Sequence, residues 1–91
     1  MLAVAQEALE IAATGTEAVY LSVDLGVVAG VGDPVGLEVR ELVAGVAVVS
    51  GALLAAADVC AGGTTAAVSS AAPAAARVAA EIVAGVARRV A

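Results

Sequence analysis

The chain has 91 residues, with 26 alanines and 18 valines, and contains no Phe, Trp, His, Lys or Asn. A net charge of −5, nine carboxylates against four arginines, argues against a surface that tracks nucleic-acid phosphates or anionic lipid. The missing histidine excludes the usual nucleophilic triad, and with a single cysteine it leaves only scattered carboxylates as metal ligands. No catalytic residue, cofactor site, metal site or small-molecule ligand is therefore assigned, and the chain reads as a non-enzyme.

Residues 1–91 are long enough for one domain, yet small enough that the core alone gives marginal stability. The hydrophobic fraction is 63%, and much of it is Ala and Val, which bury little area each. That is more apolar surface than one domain of this size hides, so copies of the chain are the expected cover. Cys60 has no internal partner, which fits a reducing, cytoplasmic setting. The amino terminus lacks a basic region and meets Glu7 and Glu10 early, so no secretory signal is expected.

In chain order, Leu2 to Ala13 predicts a helix stopped by Thr14-Gly15, with Gly15 suited to a left-handed cap. The next segment changes period. Val19, Leu21, Val23, Leu25 and Val27 alternate with Tyr20, Ser22, Asp24 and Gly26, which argues a half-buried strand. Gly30 to Pro34 reads as a turn, with Asp33 as helix cap and Pro34 in the first helical position.

From there Val35, Val39, Leu42, Val46, Val49 and Leu53 recur at helical spacing, and predict a helix running to about Ala57. A short strand over Leu37 to Val43 is the competing reading. The uncharged stretch Leu42 to Ala57 also raises a membrane-associated reading. At sixteen residues it falls short of the roughly 20 that a bilayer span requires, so a membrane partner is disfavoured.

Ala61-Gly62-Gly63 breaks the pattern, and Thr64 to Ser69 is the candidate second strand. Ser69 or Ser70 then caps a last helix with Pro73 in its first turn. In it Arg77 and Glu81 are spaced to pair, and Val78, Ile82, Val86 and Val90 form an apolar stripe.

The fold expected is α+β: a small sheet of few strands packed by about three helices, in the order helix, strand, helix, strand, helix. Two strands make a poor sheet, so completion is expected either by a third segment of the chain or between subunits. Tyr20, Gly45, Gly51, Val78, Ile82 and Val86 are the candidate interface residues. The tyrosine offers an aromatic anchor, the glycines a close approach and the others a stripe. Gly36 and Gly85 also fall inside expected helices.

Three further expectations concern the glycine-rich loop and the cysteine. Gly26, Gly30 and Gly32 resemble a phosphate loop only loosely, since the spacing lacks the dinucleotide fingerprint and Asp33 repels phosphate. A small binding pocket near Gly26 to Asp33 follows from the same loop. Cys60, in an apolar stretch, reads as a buried inert thiol.

The stretch from Gly32 to Val90 resembles bacterial microcompartment shell domains. Gly32-Asp33-Pro34-Val35-Gly36, then Ala52-Leu53-Leu54-Ala55-Ala56-Ala57-Asp58-Val59, the Gly62-Gly63 turn, the strand Thr64 to Ser69 and the Ala-rich last helix carry the likeness. An added amino-terminal helix and strand are similar to a circularly permuted variant. The resemblance implies flat hexamers that tile into shells. Val23-Asp24-Leu25-Gly26-Val27-Val28 with Ala57-Asp58-Val59 resembles the alkaline-shock envelope-stress family. The restricted alphabet also fits a sequence designed to satisfy a backbone, which would assemble without a natural activity.

Overall fold

The structure, a computed structural model, describes residues 1–31, 35–60 and 65–90, with 65–70 and 90 as backbone only. Its elements are α1 (Leu2–Ala13), β1 (Val19–Asp24), a 3-10 turn (Leu25–Val27), α2 (Val39–Ser50), β2 (Leu54–Cys60) and α3 (Thr65–Val90). The class is the expected α+β, and the order helix, strand, helix, strand, helix holds. The boundaries of the second half do not.

α1 has the expected limits. Thr14 leaves the helix in an extended conformation, and Gly15 follows at φ +75°, where a side chain would be strained. In β1 the alternation is real: Val19 and Val23, and Leu25 just past its end, are buried while Tyr20, Ser22 and Asp24 are exposed. The strand stops at Asp24 because its carboxylate accepts the Gly26 N–H at 2.9 Å and caps the 3-10 turn. Val27, expected on the inner face, is exposed.

The second helix begins at Val39 rather than at Pro34 or Val35. Leu37 spends its backbone on a parallel bridge, donating to Val27 O and accepting from Ala29 N at 2.8 Å each. Gly36 is therefore not helical. A Cβ there would sit 2.5 Å from Val27 O, so only glycine lets the two segments meet this closely. Glu38 is the extended residue before the helix, and the Glu41 carboxylate accepts its N–H at 3.2 Å. The competing strand over Leu37 to Val43 survives only as that one bridge. The caps expected of Asp33 and Pro34 lie outside the described residues.

α2 also ends early. Gly51 closes it, and Leu53 O then accepts the Val19 N–H at 2.9 Å, which starts the pairing of β2 with β1. Leu54 to Ala57 is thus strand, not the tail of a helix. The run Leu42 to Ala57 divides between a helix and a strand. No helix among the described residues is long and apolar enough to cross a membrane.

The strand expected over Thr64 to Ser69 is instead the start of α3, as far as Thr65 to Ser69 are described. Ala66 and Ala67 favour helix, and that preference carries the chain into the Ala-rich segment that follows. Pro73 lies inside the helix rather than in its first turn. Glu81 pairs with Arg88 at 3.1 Å, two turns on, and not with Arg77.

β1 and β2 are parallel and form a two-stranded sheet among the described residues, so α2 is their crossover. A bulge between Val19 and Tyr20 sets the register, which then runs Tyr20↔Ala56, Leu21↔Ala57, Ser22↔Asp58, Val23↔Val59 and Asp24↔Cys60. α2 and α3 cover one face. Val23, Leu25 and Val28 meet Val46 of α2 and Ala71, Ala74 and Val78 of α3 there. α1 packs on α2, where Gly45 admits Met1 and Ala5.

Candidate functional site

The sheet carries its polar chemistry on the face turned away from the core. After the bulge, Tyr20, Ser22 and Asp24 lie level with Ala56, Asp58 and Cys60. All six are exposed. Parallel sheets are normally covered on both faces, so a bare one is the feature of this fold that asks for a role.

Asp58 sits at the centre of that face. The Tyr20 hydroxyl donates to its Oδ2 and the Ser22 hydroxyl to its Oδ1 at 2.9 Å. The phenol is raised above its ordinary value, first by that hydrogen bond and then by desolvation and the nearby charges of Asp58 and Cys60. The carboxyl is lowered, by the Tyr20 bond first and the Ser22 bond second. A carboxylate held ionised, with both oxygens engaged, is a poor proton acceptor for a substrate. The trio ties the strands together and has the geometry of a clasp.

Cys60 ends β2 level with Asp24 and is exposed, which corrects its expected burial. No group of three metal-ligating side chains occurs among the described residues.

A groove runs along the other side of β1, between α1 and α2. One cavity of about 240 Å³ lies among Met1, Ala5, Leu21, Val27, Gly45 and Val46. A second of about 200 Å³ lies among Ala8, Leu9, Ala12, Tyr20 and Val49. Ligand pockets usually hold about 300–1,000 Å³, so each accepts a side chain or two rather than a metabolite. Of the pocket expected between Gly26 and Asp33, Val27 lines the first cavity; Gly32 and Asp33 lie outside the described residues.

The candidate interface residues separate. Tyr20 and Gly51 are exposed, and Ile82 and Val86 are half-buried. Val78 is fully buried in the chain's own core, and Gly45 is covered by α1. Those two serve internal packing, so the six do not form one surface. Sequence reasoning passed over Ser22 and Asp58. The signal was present: Asp58 is the lone charge between Leu42–Ala57 and Val59–Ala76. No family model, curated protein or solved structure matches the chain.

Proposed function

We propose that this chain is a non-catalytic structural subunit that assembles with its own copies into a symmetric homo-oligomer, of the kind that builds shells or cages. One observation carries the reading: the surface is too large and too apolar. The accessible area is 5386 Å², where a compact monomer of this mass presents about 4,700 Å². Val35 is 83% exposed, Ile11 72%, Val83 68% and Val4 66%. Among the described residues only nine apolar side chains are buried, and three of them are alanines. At roughly 25 cal/mol per Å², covering the surplus with a second copy is strongly favourable.

The bare face of a two-stranded parallel sheet supports the same conclusion. The free thiol of Cys60 fits a reducing compartment such as the cytoplasm. Size-exclusion chromatography with light scattering tests the proposal. The expected mass is a fixed multiple of 8.6 kDa at micromolar concentration. A monodisperse, folded monomer there overturns it.

A further inference from the structure

Resting on that assembly reading, we infer that the free edge of β2 is the seam where two copies meet, pairing antiparallel about a twofold axis at Ala57 to give a four-stranded sheet β1-β2-β2-β1. A strand bonded on one side leaves alternate N–H and C=O groups unpaired on the other, and they are a template for another strand. The sheet has two such edges, and the structure distinguishes them.

The free edge of β1 faces the groove beside α1. The cavities there, about 240 and 200 Å³, admit side chains but not a six-residue strand. β2 is open by contrast. Ala55, Ala56, Ala57 and Asp58, in its middle, are all exposed. Leu54 to Cys60 holds no Lys and no Pro, two of the residues that usually protect a strand edge. Its one charge, Asp58, is drawn towards β1 by the Tyr20 and Ser22 hydroxyls.

Full overlap of this seven-residue strand with its copy fixes the register. Ala57 faces Ala57, Ala56 faces Asp58, Ala55 faces Val59 and Leu54 faces Cys60. No like charges are opposed, whereas a slip that centres the pair on Asp58 sets two carboxylates against each other. The small side chains let the strands approach without a clash. A twofold operation of this kind closes the edge and leaves no open filament.

The test uses charge at the axis. Ala57→Lys and Ala57→Glu each set like charges face to face, and Ala57 is exposed in the subunit, so both tolerate folding. Each variant alone is expected to lose at least half the native mass with an unchanged circular-dichroism spectrum. An equimolar mixture is expected to recover that mass, because opposite charges then face each other. A single variant that keeps the native mass, or a mixture that stays dissociated, overturns the seam. Amide exchange on the unmodified protein is an independent readout. Protection of Ala55 to Val59 should rise with protein concentration, and concentration-independent exchange overturns the inference. If the unmodified chain is itself a monomer, the assembly reading falls as well. If it is an oligomer indifferent to both substitutions, only the seam falls.

Discussion

The Tyr20 hydroxyl donates to Oδ2 of Asp58 and so joins β1 to β2 across 38 residues of chain. Ser22 donates to the other oxygen of the same carboxylate, at 2.9 Å. One acidic group thus fastens the outer face of a sheet whose inner face rests on the core.

Tyr20 is the only tyrosine, and there is no tryptophan, so ultraviolet absorbance reports this phenol alone. Its ionisation midpoint should lie above the ordinary 10.0, because losing the proton breaks the bond to Asp58 and sets two negative charges side by side. Asp58→Ala should bring the midpoint back towards 10.0. A spectrophotometric titration of both proteins checks this, and an identical midpoint in each would show the clasp to be absent in solution.

The same pair gives stability a window in pH. Asp58 titrates below its ordinary 3.8 in the folded chain, so its contribution is complete above that value and is lost as pH falls through the folded one. Tyr20 titrates above 10.0, so its contribution is complete below that value and is lost as pH rises through the folded one. Denaturant midpoints from about pH 3 to about pH 11 should fall at both ends. Tyr20→Phe should flatten the alkaline limb and leave part of the acid limb, which Ser22 sustains.

The core offers a plainer contrast. Val78 is fully buried against Val23, Leu25 and Val46, whereas Val83 on the same helix is 68% exposed. Val78→Ala removes two methyl groups and leaves a cavity, at a cost of about 2 kcal/mol. Val83→Ala should change subunit stability by less than about 0.5 kcal/mol. If chemical denaturation shows the two costs to be equal, the packing described for α3 is wrong.

How much of this was legible in the sequence depended on which force set each element. α1 and β1 follow from local pattern, because caps and alternation belong to the segment itself. β2 was hidden: Leu54 to Ala57 is dominated by alanine, a weak strand former, and continues a helical stripe from Val46 through Val49 to Leu53. Only pairing with Val19 to Asp24 makes it a strand, and that partner is distant in sequence. The late start of α2 has a similar cause, since the Leu37 bridge to Val27 and Ala29 competes with helix. The clasp was missed for the same reason. Tyr20 and Ser22 were placed on the polar strand face, but Asp58 lay just past the expected helix and was given no strand to sit on.

The contact of α2 with α3 gives the last prediction. A Cβ at Gly85 would lie 2.5 Å from the Ser50 Cβ and 3.0 Å from Ser50 O, so the helices touch at a point where only glycine fits. Gly85→Ala must push them apart, and overpacking of this kind costs about 1–3 kcal/mol despite the better helix propensity of alanine. Gly51→Ala is the control. Its nearest neighbour would be 3.4 Å away and its φ of −73° suits alanine, so stability should hold or rise by about 0.4–1 kcal/mol. Ser50 adds a second probe of the same contact, because its buried hydroxyl has no hydrogen-bond partner among the described residues. Ser50→Ala removes that uncompensated desolvation and should stabilise the subunit by about 1 kcal/mol. The denaturant midpoint should therefore fall for Gly85→Ala, hold or rise for Gly51→Ala and rise for Ser50→Ala. A destabilised Ser50→Ala would mean that the hydroxyl finds a partner in solution, and an indifferent Gly85→Ala would mean that α2 and α3 sit further apart than described.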